Sequence, residues 1–205
     1  MLRINEIYKI IKEIEFLYVM YAKHCNSYKS LRQKVLDNGT NVKYSAGGNT
    51  YPFGKYFFGK SQIYKKAVRK SSGHFCKTLD EANFAYVFSD DGKLLAINQM
   101  FDTSKNSEGY VDYTSFLEYG ADRTYILKYR EDDIPSLQEI GIIYLKNNCE
   151  IMVHSSGSCE FFIITVIDYA ENKEYSYSIG KELFISGYNM KSDEMYPDVW
   201  SITRR

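Results

Sequence analysis

The chain has 205 residues, 44% of them hydrophobic, with 26 basic and 26 acidic side chains. That size suits a single domain spanning residues 1–205, whose core closes without a staple or a metal. A charge balance of zero excludes a wholly basic nucleic-acid binder and a wholly acidic disordered tail.

In residues 4 to 24 the apolar positions Ile4, Ile7, Tyr8, Ile11, Ile14, Leu17, Tyr18 and Tyr21 recur at intervals of three and four, with Lys9, Lys12, Glu13 and Lys23 mostly between them. This spacing predicts an amphipathic helix. A second helical piece is expected to open at Ser27 as N-cap, to carry Leu31, Val35 and Leu36, and to stop at Asn38-Gly39 with Gly39 as a left-handed cap. Residues 1–39 thus form a helical layer. Residues 40–79 are punctuated by Gly47-Gly48, Pro52, Gly54 and Gly59, which predicts a long loop or short irregular strands, followed by a short helix over 60–69.

From Phe84 the pattern changes to period two. Phe84–Ser89 and Lys93–Phe101 flank Asp90-Asp91-Gly92, and Tyr113–Tyr119 and Arg123–Tyr129 flank Gly120-Ala121-Asp122. Glu139–Leu145 and Cys149–His154 flank Asn147-Asn148, and Glu160–Tyr169 and Tyr175–Ile179 flank residues 170–173. These are four successive hairpins. The expected fold is α+β: an N-terminal helix or helix pair, then about eight antiparallel strands over 80–185, in one large sheet or two four-stranded sheets. The tail, 186–205, is expected to dock back on the core.

The first residues lack the organisation of a secretory signal, and the longest apolar run, Phe161 to Ile167 broken only by Thr165, is far short of a membrane span. A soluble, cytoplasmic protein is expected, with Cys25, Cys76, Cys149 and Cys159 as reduced thiols. Counting charge by segment sharpens the picture. Residues 1–37 carry a balance of +3, residues 38–79 carry eight basic groups and no acid, and residues 80–205 carry −11. In the middle segment Lys55, Lys60, Lys65, Lys66, Arg69 and Lys70 interleave with Tyr56 and Phe58, a mixture suited to single-stranded nucleic acid. The plainer reading is a solvated basic face that pairs with the acidic part of its own domain. Asp90, Asp91, Glu118, Tyr119, Asp122, Glu131, Asp132 and Asp133 would form an acidic, tyrosine-anchored surface complementary to a basic partner.

Catalytic and metal motifs are weak. His74-Phe75-Cys76 has no flanking signature of a cysteine enzyme. Cys149, His154 and Cys159 have the spacing of the last three ligands of a zinc knuckle, but Lys146 stands where the first belongs, and no metal or other cofactor is expected. Ser155-Ser156-Gly157-Ser158 is a turn, and Gly47-Gly48 lacks the lysine of a phosphate loop. His74 and His154 with Lys77 or Lys146 are the one set that could support metal-independent RNA cleavage.

The stretch Tyr86-Val87-Phe88-Ser89-Asp90-Asp91-Gly92-Lys93-Leu94-Leu95-Ala96-Ile97, within a lone Tyr/Lys/Ile/Asn-rich chain, resembles the immunity proteins of bacterial polymorphic toxin and contact-dependent growth inhibition systems. The resemblance implies a cytoplasmic, non-enzymatic protein that binds one cognate toxin domain, often a nuclease, over or near its active site. Some immunity proteins paired with EndoU-type RNases resemble two-sheet nucleic-acid-binding domains. The expected function is therefore toxin neutralisation by an acidic surface, the alternative being single-stranded nucleic-acid binding by residues 40–79.

Overall fold

A computed structural model describes residues 4–23, 25–47, 73–101, 111–156, 159, 161–180 and 200–203. Among these residues two α-helices, α1 (Ile4–Lys23) and α2 (Cys25–Asn38), precede eleven strands. These are β1 (Asn41–Ala46), β2 (His74–Cys76), β3 (Phe84–Phe88), β4 (Leu94–Gln99), β5 (Tyr113–Tyr119), β6 (Arg123–Arg130), β7 (Ser136–Lys146), β8 (Cys149–Ser156), β9 (Phe161–Asp168), β10 (Lys173–Gly180) and β11 (Trp200–Thr203). All lie in one antiparallel sheet, ordered β11-β10-β9-β8-β7-β6-β5-β4-β3-β1-β2. The α+β class stands, and the eight hairpin strands are β3 to β10. The sheet is single and larger than expected, because β1, β2 and β11 extend it at both edges.

The α1 periodicity has a direct packing consequence. Ile7, Ile10, Ile11, Ile14 and Leu17 fall on one face, are buried, and belong to a core shared with Ile140, Ile142, Ile151, Val153, Ile164 and Val166 of β7, β8 and β9. Burying such a side chain contributes about 1.5 to 3 kcal/mol. Tyr28 and Leu31 carry α2 onto the same face, where the Tyr28 ring meets Phe116 and Tyr129 edge-on at 5.7 and 5.3 Å. Tyr86, Phe88, Leu117, Ile126, Ile143, Met152 and Ile167 form a second buried cluster, drawn from the alternate positions of the strands. Hence β8 and β9 are buried over consecutive residues rather than in simple alternation.

Two expectations about α2 change. Ser27 lies inside the helix, which begins at Cys25. Gly39 does follow Asn38, but its φ is outside the left-handed region. A Cβ there would stand 2.6 Å from both the Val35 carbonyl oxygen and Val87 Cγ1, so glycine is needed for close approach and not for backbone handedness. Part of the expected loop is also ordered: β1 pairs Val42 with Val87 and Tyr44 with Ala85, and β2 adds outside it. The expected helix over 60–69 and most of the tail lie outside the described residues.

The hairpin turns follow their sequences. Asn147 and Asn148 have φ of 48° and 63° in a two-residue turn that pairs Lys146 with Cys149, the conformation Asn tolerates best among residues with a Cβ. Gly92, at φ 78°, closes the turn after β3, where its N–H donates to the Ser89 carbonyl at 2.9 Å. In an up-and-down order, successive turns alternate between the two ends of the strands. One rim therefore carries the β3–β4, β5–β6, β7–β8 and β9–β10 turns, and the opposite rim carries β4–β5, β6–β7 and β8–β9, about 25 Å away.

Candidate functional site

The alternation of turns divides the expected acidic surface. Asp90, Asp91, Glu118, Tyr119 and Asp122 belong to the first rim, and Glu131, Asp132 and Asp133 to the second, so the eight residues do not form one patch. On the first rim most are committed internally. Asp91 takes the Lys93 ammonium at 2.6 Å, and that bond, with one from the Ser89 hydroxyl, holds its carboxyl at about 2. Glu118 accepts from Lys34 of α2 at 2.6 Å and from the Tyr21 hydroxyl of α1 at 3.5 Å. Asp122 lies 3.5 Å from Arg123, and the Tyr119 hydroxyl donates to the Leu94 carbonyl at 2.8 Å.

The helical layer supplies two cations and two acids to the sheet. Lys34 meets Glu118 and Arg32 approaches Glu131 at 3.9 Å, while Glu13 and Glu6 of α1 pair with Arg123 and Lys146 of the sheet. The first two pairs offset the division of charge along the sequence and the other two run against it, each worth about 0 to 1 kcal/mol where exposed. Lys55, Tyr56, Phe58, Lys60, Lys65, Lys66, Arg69 and Lys70, the candidate nucleic-acid set, lie outside the described residues.

The second rim has a different composition. Ile134, at the β6–β7 turn, is 81% exposed, Phe101 just past β4 is 64% exposed, and Phe161 at the start of β9 is 45% exposed. They stand at successive turns, about 10 Å apart by strand spacing, interleaved with Asp112, Glu131, Asp132 and Asp133. Backbone bonds fix this rim: Asp112 N–H donates to the Gln99 carbonyl and Glu131 N–H to the Asp112 carbonyl, both at 2.9 Å. The Asp112 carboxylate accepts from the Phe101 N–H at 2.6 Å, and the Phe101 ring meets Tyr113 edge-on at 5.7 Å.

Glu131 anchors the β6–β7 turn to α2. It accepts from the Tyr28 hydroxyl, which in turn accepts from Arg32 at 3.1 Å. Burial and the Glu131 carboxylate push the Tyr28 phenol up to about 12. Asp132 pairs with Arg130 at 3.1 Å, while Asp133 and Ile134 project. Behind Glu131 a groove of about 580 Å³ opens between α2 and the sheet, with Val35, Val87 and Phe116 on its walls and Asn98 and Thr114 hydrogen-bonded in it at 3.1 Å.

The residues considered for RNA cleavage are not brought together. His74, on the edge strand β2, is seven strands from His154 on β8, about 34 Å. Lys146 is on the first rim with Glu6. His154 instead meets Glu139 at 3.2 Å, and Glu139 meets Lys128 at 3.1 Å, with Lys128 lying 4.9 Å from the Tyr113 ring centroid. Burial would raise the Glu139 carboxyl, but the His154 hydrogen bond and the Lys128 charge outweigh it and hold the group at about 2. So weak a base takes no proton near neutrality, and its chemistry here is to orient His154. Hairpin register is the signal that could have found the row, since it pairs Lys128 with Glu139 and Gly141 with His154.

Cys149 packs with the helix-side core, and His154, five residues on, lies on the other face of β8. Among the described residues no group of three or more His, Cys, Asp or Glu side chains is arranged to hold a metal, and no helix is long and apolar enough to cross a membrane. No family model, curated protein or solved structure matches the chain.

Proposed function

We propose that this chain is a cytoplasmic, non-enzymatic binding protein of the immunity type, which neutralises a cognate toxin domain by covering a basic, substrate-binding cleft. The second rim is the contact surface. The observation that carries this reading is the combination there of three exposed apolar side chains, Phe101, Ile134 and Phe161, with carboxylates borne on a main chain that the Gln99, Asp112 and Glu131 backbone bonds hold. Apolar anchors supply the energy of such an interface, and surrounding acids steer association with a cationic partner. A surface held in place before contact loses little entropy on binding. A nuclease domain, whose cleft must attract phosphates, is the partner chemistry that fits.

The test is co-expression with the toxin encoded beside this gene, followed by titration calorimetry at several salt concentrations. The double variant Asp132→Lys/Asp133→Lys is expected to slow association about tenfold or more, and Ile134→Asp to raise Kd at least tenfold, while Asp90→Lys on the first rim changes neither. The reading fails if the neighbouring product is neither bound nor silenced, or if first-rim and second-rim variants weaken binding equally.

A further inference from the structure

The core uses only one side of α1, yet its other side is apolar as well. At about 100° per residue, Ile7, Ile10, Ile11, Ile14 and Leu17 point to the sheet, while Tyr8, Lys12, Phe16, Val19 and Met20 fall on an arc roughly opposite. All four apolar members of that outer row are exposed, Phe16 by 63%. The Lys12 ammonium lies 5.5 Å from the Tyr8 ring centroid and 2.7 Å from Glu15, so its stem completes the row. Scattered exposed hydrophobes are ordinary on a protein surface. Here a row of four, back to back with the buried face of one helix, stays exposed among the described residues.

We infer that this row is the contact of a homodimer in which α1 packs antiparallel against α1 of a second copy about a two-fold axis. Charge selects that occupant and that direction. Lys12 and Glu15 sit near the middle of the row, Lys12 toward its N-terminal side. Antiparallel pairing centred between Tyr8 and Met20 sets Tyr8 of each copy against Met20 of the other. It also brings Lys12 of each copy beside Glu15 of the other, so the 2.7 Å pair within one helix becomes an alternating ring of four charges. Parallel pairing would set Lys12 against Lys12. A two-fold contact uses the same patch on both partners and closes on itself, as a single self-complementary row requires.

The four side chains offer roughly 400 Å² per copy, about half the ~800 Å² per partner of a standard stable interface. The dimer is accordingly concentration-dependent. Its contact lies on the outer surface of the helical layer, away from the second rim, so each copy keeps its own rim free.

Sedimentation velocity of the full chain from about 1 to about 200 μM tests the inference. The mass is expected to rise from one chain to two across that range. Phe16→Glu should remain at one chain throughout with an unchanged circular dichroism spectrum, and should still bind the toxin as tightly as the parent. Lys12→Glu should weaken association at least tenfold, and Lys12→Glu/Glu15→Lys should restore it by re-forming the ring with the signs exchanged. A chain that is monomeric over the whole range, or a dimer that Phe16→Glu leaves intact, overturns the proposal. A dimer that Lys12→Glu weakens and the exchanged pair fails to restore overturns the antiparallel register.

Discussion

Replacing Glu139 by Gln keeps the length and hydrogen-bonding shape of the side chain and removes its charge. In the folded chain that charge faces the Lys128 ammonium at 3.1 Å and His154 Nε2 at 3.2 Å. Burial opposes ionisation, but those two partners prevail and hold the carboxyl at about 2, against an ordinary 4.5. At about 1.36 kcal/mol for each tenfold change in acidity, the difference bounds the stabilisation near 3 kcal/mol. With 35% of the side chain exposed, screening by solvent reduces it to about 1 to 1.5 kcal/mol. Because the folded value lies below the unfolded one, the stabilisation is complete above about pH 4.5 and is lost as the pH falls toward about 2. Urea unfolding of parent and Glu139→Gln proteins measures it. With a slope of about 2 to 3 kcal/mol/M for a chain of this size, the midpoints should stand about 0.5 M apart at pH 7 and converge near pH 2. A gap of the same size at both pH values, or none at pH 7, would refute the assignment of the carboxylate as a charged partner of Lys128 and His154.

Three further substitutions, at two positions, probe the backbone. Gly39→Ala places a Cβ 2.6 Å from Val87 Cγ1 and from the Val35 oxygen, which itself accepts the Gly39 N–H at 2.8 Å and cannot retreat freely. A loss of about 1 to 3 kcal/mol is expected, read as a fall of several degrees in Tm, and an unchanged Tm would contradict the close approach. Asn148→Gly relieves a φ of 63° in the β7–β8 turn and should raise stability by about 0.5 kcal/mol, whereas Asn148→Val at the same position should lower it. A valine variant as stable as the parent would mean that the turn is not left-handed there.

The hairpins were legible because two signals coincide at each: alternation of apolar residues, and turn residues at the interruption. Asn147-Asn148 and Asp90-Asp91-Gly92 each lie where a strand must reverse. The strands added outside β3 were harder to place. β2 is three residues long, and β1, although Val42, Tyr44 and Ala46 alternate with polar residues, ends beside Gly47 within a stretch that reads as loop, so both depend on a neighbour to template them. The end of α2 was placed correctly for a different reason than expected, since contact with Val87, 48 positions away in sequence, is invisible to local pattern. The acidic residues were misjoined for a reason that was legible: in consecutive hairpins, residues at successive turns belong to opposite ends of the sheet, so Asp122 and Glu131 could not share a patch. Ile134 escaped notice because a lone isoleucine between Asp133 and Pro135 carries no periodicity. The Lys128, Glu139 and His154 row required register, which a pattern of hairpins implies only when both turns are fixed to the residue.

From β3 to β10 every strand pairs with its neighbours in sequence. Each pairing therefore closes only a short loop, and the entropy of bringing distant segments together is avoided for most of the sheet. Folding can begin at whichever hairpin forms first and spread outward strand by strand, since each new pairing adds a neighbour in sequence. The exception is the helical layer, whose core contacts join α1 to β7 across more than 100 residues and complete the buried face of the sheet. Synthesis presents α1 first and its platform last, so on the ribosome the apolar side of α1 waits for most of the chain before it is covered.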